Sequence, residues 1–314
     1  MRLGEEAEVH HGSSHCEQVL ARADLSITPR LRRQLGEWLQ EDLGRGDLTT
    51  PALRGREGEA HWRAKADGVF CGGVLMEPLL RELVGSSEPG IELRLLVSDG
   101  TPIEAGQRLL ELRGLAEQLV AMERTALNLA MRLSGIATAT AALVAQLEGT
   151  GVALADTRKT TPGLRELEKY AVRCGGGLNH RMGLDDAAML KENHLAWAGG
   201  VEAAIAAVRT DAPWPARVIV EVETELEAIA AVKAGADGVL LDEFSPEELV
   251  VLVPRLRDQA THRRGAAPVV LEASGIQPAA LVAYAATGID LISTSAPMTR
   301  SSWLDLSMRF SSPE

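Results

Sequence analysis

Aromatic side chains are nearly missing from this chain, at 3% of 314 residues, and acidic side chains outnumber basic ones, leaving a formal net charge of -12. Nucleic-acid binding draws on basic surface and stacking rings, so the two shortages together exclude it. The same charge excludes a role on an anionic membrane surface. Cysteine is scarce as well. Cys16, Cys71 and Cys174 lie far apart and form no C-x-x-C pair, so the spacing gives neither a disulfide framework nor a zinc site, and a reducing, cytoplasmic setting is expected. No uninterrupted apolar run approaches the roughly 20 residues that span a bilayer. The acidic start also lacks the basic and apolar regions of a signal peptide, so export is not expected.

Lysine is the most informative shortage. The chain uses arginine almost everywhere it needs a cation and has only five lysines, yet Lys159, Lys169 and Lys191 all fall between Asp156 and His194. Asn179 and Asn193, two of only three asparagines, fall there too, among Arg158, Arg165, Arg173, His180 and Arg181. A dense cationic segment inside a negative protein points to a small anionic ligand. There is no lysine between Lys65 and Lys159, which excludes a biotinyl or lipoyl carrier despite the hairpin-like SDGTPIEAGQRLLEL.

What is present is organised in two parts. Residues 1–16, with His10, His11 and His15 beside glycine and serine, show no apolar periodicity and are expected to form a disordered extension. An α/β sandwich domain is expected over 17–134, with 298–314 returning to it. Within it, Leu31, Leu35, Trp38, Leu39 and Leu43 have helical spacing behind Thr28 and Pro29, EDLGRGDLTTPAL reads as a loop, and 59–72 alternates like one strand. A helix follows from Gly72-Gly73 to Leu83, then strands over 91–97 and 107–113. The long pattern over 116–147 carries the small residues Ser134-Gly135-Ile136-Ala137-Thr138, which permit close packing between domains or subunits.

From 135 to 297 the chain alternates short strands with helices. GVALA, AAML, VIVEV, GVLLD, PVVLEAS and LISTS are short and mainly apolar, in keeping with strands buried on both faces of a parallel sheet, and six of them predict an incomplete α/β barrel. Barrels bind ligands where strands end. Arg158, Lys159 and Lys191 follow two such strands, while Glu221 and Asp242 end two more, where carboxylates suit Mg²⁺. Ser274-Gly275 and Ser293-Thr294-Ser295 follow the last two, where phosphate groups often bind.

These residues resemble the quinolinate phosphoribosyltransferase family. EDLGRGDLTT, ERTALNLAMRLSGIAT, DTRKTTPGLR, EKYAVRCGGGLNHRMGL, LKENH, AGADGVLLDEFSPEEL, LEASG and WLDLSMRF are similar to its motifs, in its order, over about residues 27–310. The resemblance implies conversion of quinolinate and phosphoribosyl pyrophosphate into nicotinate mononucleotide, CO₂ and pyrophosphate with Mg²⁺. It further implies a homodimer or higher homo-oligomer with shared active sites. Arg158, His180, Arg181 and Lys191 would hold the quinolinate carboxylates, with Arg124 reaching in from the partner subunit. Lys159, Glu221 and Asp242 would be catalytic, the two acids holding the metal and ribose. Ser274 and Gly275 would take the 5′-phosphate, helped by Ser293 and Ser295. The chain departs from the family in having Ile276 after Ser274-Gly275, Ser295 where glycine is common and Thr299 where histidine is common. Alternatives from the same segment are a molybdate-transport-associated protein of this fold, a barrel lyase forming a Schiff base on Lys159 or Lys191, and a non-catalytic binding protein.

Overall fold

The structure, a computed structural model, describes residues 23–85, 90–261 and 268–311. The expected extension over 1–16, including Cys16, lies outside the described residues. The first unit contains α1 (Pro29–Leu43), α2 (Thr50–Leu53), β1 (Glu57–Ala64), β2 (Gly68–Val69), α3 (Met76–Val84), β3 (Glu92–Leu95), β4 (Pro102–Ile103) and β5 (Arg108–Leu115). Thr28 caps α1 by accepting the Leu31 N–H at 3.1 Å, and Pro29 occupies the first turn, where a missing N–H costs nothing.

Two local expectations are refined here. The run 59–72 is not one strand: β1 stops at Ala64, the Asp67 carboxylate accepts the Ala105 N–H at 2.8 Å, and Gly68–Val69 pairs separately with Pro102–Ile103. The GRGDLTTPAL loop contains a single helical turn, α2, preceded by Asp47, whose side chain accepts the Thr49 N–H at 2.7 Å.

Helix α4 (Ala116–Val144) joins this unit to the barrel. It packs on α1, α3, β2 and β5 on one side and on α5 and β6 of the second unit on the other. It is long and apolar enough to cross a membrane by length and composition alone, but half of its most apolar window is buried inside the protein. Its small residues act where the pattern placed them. Ser134 Oγ accepts the Cys71 N–H at 2.9 Å, Thr138 Oγ1 accepts the Val69 N–H at 2.9 Å, and a Cβ at position 135 would collide with the Ser302 carbonyl. Gly135 is therefore required by close approach. A buried cluster including Leu31, Val69, Leu133, Ile136, Leu167 and Tyr170 cements the junction.

The second unit comprises β6 (Ala153–Ala155), α5 (Arg165–Cys174), β7 (Ala188–Leu190), α6 (Glu192–Ala198), α7 (Val201–Asp211), β8 (Val218–Val222), α8 (Glu225–Lys233), β9 (Gly238–Leu241), α9 (Pro246–Thr261), β10 (Val270–Ala273), α10 (Leu281–Ala285), β11 (Leu291–Ser293) and α11 (Ala296–Arg300). Its six strands pair in the order β6-β11-β10-β9-β8-β7, every pair parallel, and β6 and β7 remain unjoined edges. The barrel is thus incomplete. The final strand, β12 (Leu306–Ser311), pairs antiparallel with β1, completing a sheet of order β12-β1-β5-β3.

The fold adds a contact to the cysteines, which remain unbridged. Cys71 and Cys174, 103 positions apart, meet across the junction with Asp99, their ligand atoms within 4.8 Å of one another. Sequence spacing could not show this, because the two thiols arrive from different units. Asp99 is already engaged by the Gly72 and Gly73 N–H groups at 3.0 and 2.8 Å and by the Tyr170 hydroxyl at 2.8 Å. Burial, more than the neighbouring thiol, pushes the Cys71 thiol well up, so it stays protonated and inert. The cluster works as a junction pin.

Candidate active site

Parallel pairing makes all six barrel strands end at one edge, and a cavity of about 660 Å³ opens there. Its wall brings together Arg158, Lys159, His180, Arg181, Lys191, Glu221, Asp242, Ser274, Gly275, Ser293 and Ser295. Arg124 is exposed on α4 and is not among these residues.

The segment that opens the site is anchored from below. Asp156, directly after β6, accepts the His180 N–H at 2.8 Å and the Asn179 amide at 2.6 Å, and is paired with the ammonium of Lys169. Lys169 also donates to the His180 carbonyl at 2.9 Å. Burial pushes the Asp156 carboxyl up and the Lys169 ammonium down, while their mutual attraction opposes both shifts. Lys169, one of the three clustered lysines, is therefore a structural cation rather than a ligand-facing one. A second buried carboxylate, Glu168, accepts the Thr161 N–H at 2.9 Å and the Arg132 guanidinium at 2.8 Å, fixing the loop that carries Arg158 and Lys159 to α4.

The rim is built differently. Lys191 caps α6 and its ammonium pairs with Glu221 at the end of β8. Asp242, just past β9, accepts the Ser274 hydroxyl at 2.5 Å. Gly275 has φ 74°, a backbone conformation glycine adopts without strain, beside Asp242. Glu243, with φ 61°, is the one non-glycine residue with positive φ among the described residues, and it too lines the cavity. Burial, and after it the neighbouring Arg158, disfavours the charged form of Arg181, so an anion placed there relieves two costs at once.

The cavity also holds polar residues that the sequence pattern does not assign, among them Thr157, Arg165, Glu243, Glu272, Gln277 and Arg300. Arg165 braces the loop, donating to Thr160 Oγ1 at 3.1 Å and to the Met182 carbonyl at 3.1 Å. Glu272 had a signal in the sequence, a lone carboxylate inside the apolar run PVVLEAS. In a strand covered on both faces, such a residue has to face a polar interior.

An incomplete parallel barrel whose strand ends hold clustered cations, paired carboxylates and hydroxyls defines an enzyme of the phosphosugar-handling α/β class. Residues 136–309 match the model of the quinolinate phosphoribosyl transferase C-terminal domain and residues 47–134 that of its N-terminal domain. The chain is 41% identical over 278 residues to a probable nicotinate-nucleotide pyrophosphorylase [carboxylating] of Synechocystis, covering 88% of this chain and 90% of that one. It is 40% identical to the corresponding Mycobacterium leprae protein, covering 82% of this chain and 89% of that one. Among solved structures, NadC of Streptococcus pyogenes superposes with a TM-score of 0.84 at 33% identity, covering 93% of this chain and all (100%) of that one. The chain belongs to the quinolinate phosphoribosyltransferase family.

Proposed function

We infer that this chain transfers the phosphoribosyl group of phosphoribosyl pyrophosphate to quinolinate with loss of CO₂, giving nicotinate mononucleotide and pyrophosphate in de novo NAD synthesis. The observation that carries this is the single cavity in which Arg158, Arg181 and Lys191 face the same space as Glu221, Asp242 and the Ser274-Gly275 and Ser293–Ser295 turns. Donor and acceptor are both polyanions, so fixed cations must neutralise them before the ring nitrogen can approach the anomeric carbon. As that bond forms, the bond to pyrophosphate breaks. The 2-carboxylate then leaves as CO₂, and the ring carbon takes a proton from solvent. In this reading the cationic groups of Lys159, Arg158 and Arg181, which line the same cavity, stabilise the charge that develops on the ring.

Glu221 and Asp242 are the residues that would hold Mg²⁺. They stand at the ends of adjacent strands, and Mg²⁺ takes one or two carboxylates plus substrate oxygens, so the donor set fits once Glu221 exchanges its Lys191 partner. The bound ion would neutralise the departing pyrophosphate. Arg124, exposed on α4 and apart from its own cavity, supports a homodimer in which it serves the partner's site. The unbridged Cys71 and Cys174 are in keeping with a cytoplasmic enzyme. The test is direct: purified protein with quinolinate, phosphoribosyl pyrophosphate and Mg²⁺ should form nicotinate mononucleotide, and chelation should stop it. Absence of product at every Mg²⁺ concentration refutes the assignment.

A further inference from the structure

We propose that Glu272 is a positioning residue of the dicarboxylate site, holding the His180 ring and through it the backbone of Arg181 where the acceptor's second carboxylate is received. The proposal rests on the function inferred above and goes one layer deeper into the same site.

Glu272 lies on β10 between Leu271 and Ala273, both fully buried, and its own side chain is 4% exposed. A carboxylate in such a place is costly unless it is well partnered. Glu272 is only half partnered. Oε2 lies 3.3 Å from His180 Nε2, while Oε1 is buried without a hydrogen-bond partner. A stabilising core residue would not leave a buried acceptor unmet, so the position serves something other than packing.

The other end of the contact says what that is. His180 Nδ1 accepts the Arg181 N–H at 2.8 Å, so it carries no proton, and the ring proton sits on Nε2 toward Glu272. The ring's two nitrogens are thus both engaged by the protein. His180 therefore contributes to the cavity as a strut, and its backbone is fixed as firmly, by Asp156 at the amide and Lys169 at the carbonyl. The strut ends on Arg181, whose guanidinium donates to the Ala187 carbonyl at 2.9 Å. Glu272, His180 and Arg181 also form the wall shared between the main cavity and a second one of about 400 Å³ at the opposite end of the barrel. A wall with space on both sides gets little support from packing, and a charge-assisted contact supplies it.

The test compares ligand affinities and the histidine tautomer in wild type, Glu272→Ala, Glu272→Gln, His180→Ala and the Glu272→Ala/His180→Ala double variant. Glu272→Ala should weaken quinolinate binding by about tenfold or more and leave phosphoribosyl pyrophosphate within about twofold. The double variant should bind quinolinate no worse than the weaker single one, because both substitutions cut the same strut. In ¹⁵N-histidine spectra, wild-type His180 should show a bare Nδ1 and a protonated Nε2, and Glu272→Ala should lose that single tautomer. Equal loss for both ligands, additive losses in the cycle, or an unchanged tautomer in Glu272→Ala would overturn the proposal. Should Glu272→Ala not fold, Glu272→Gln, which keeps the volume, decides on the same affinity split and tautomer. If wild type fails to bind quinolinate at all, the inferred function falls, while the tautomer still decides whether the strut exists.

Discussion

The floor beneath the cavity and its rim each hold a lysine–carboxylate pair whose lysine comes from the same cationic segment, and the two pairs do opposite work. On the floor, Lys169 and Asp156 have 1% and 0% side-chain exposure, and each has further protein partners. On the rim, Lys191 is 38% and Glu221 15% exposed, and Glu221 has no other hydrogen bond among the described residues. A pair satisfied on every side has nothing left for a ligand, whereas a half-solvated pair exchanges partners at small cost. Burial, rather than residue type, separates the structural cation from those left open to a ligand.

The floor can be broken outright. Lys169→Met should strand the Asp156 carboxylate and cost about 3–5 kcal/mol in urea unfolding, taking activity with it as the 179–181 loop loosens. Lys169→Met combined with Asp156→Asn should recover part of that loss, since no charge is then left buried. A Lys169→Met protein of wild-type stability would show that the two pairs do not differ as described.

The rim should respond in the opposite way. Asp242→Asn should leave the unfolding midpoint almost unchanged, within about 0.5 kcal/mol, because the site lies at the cavity edge. Turnover should fall by about 10²–10³, the size seen when one preorganised charge-stabilising group is lost. Steady-state kinetics across a Mg²⁺ titration measures it, and unchanged turnover with unchanged Mg²⁺ dependence refutes the role.

A smaller effect is expected elsewhere on the cavity wall. Arg181→Ala removes a charged contact worth roughly 1.5–3 kcal/mol, about ten- to a hundredfold in quinolinate affinity, while binding of the sugar diphosphate stays near wild type. Nicotinate, with one carboxylate fewer, should bind the wild type correspondingly weakly. Calorimetric titration of all three ligands decides it. Equal wild-type affinity for quinolinate and nicotinate would refute a site made for two carboxylates.

Rim and floor were not equally legible in the sequence. The rim is readable because strand ends are: in a parallel sheet, whatever ends or follows an apolar run reaches one common edge, so the sequence alone groups Arg158, Lys159, Lys191, Glu221, Asp242 and Ser274. The floor was hidden because a buried Lys169 looks like any other lysine in a cationic stretch. Only its contact with Asp156, 13 positions away, assigns it. The Cys71–Asp99–Cys174 pin is not legible because its members come from distant parts of the chain, and Glu272, though marked by its charge in an apolar run, has a partner, His180, that only the fold reveals. Helix α1, the small-residue face of α4 and the six barrel strands were legible because each depends on local periodicity or on residue size alone.

The least of these effects concerns strain, which the rim has and the floor lacks. Glu243, next to Asp242, is held at φ 61°, and a left-handed conformation costs a residue with a Cβ roughly 1–2 kcal/mol. Glycine removes that cost but gives back about 0.5–1 kcal/mol in unfolded-chain entropy, so Glu243→Gly should gain no more than about 1 kcal/mol. Glu243→Ala keeps the strain and loses only the side chain. The difference in unfolding free energy between the two variants therefore isolates the backbone contribution, with Glu243→Gly expected to be the more stable by about 1 kcal/mol. If the strain serves the site, Glu243→Gly should also turn over more slowly than Glu243→Ala, because a freed backbone no longer fixes the adjoining Asp242. A Glu243→Gly protein less stable than Glu243→Ala by about 0.5–1 kcal/mol would mean the turn at Glu243 is unstrained, and equal turnover would separate the strain from the chemistry.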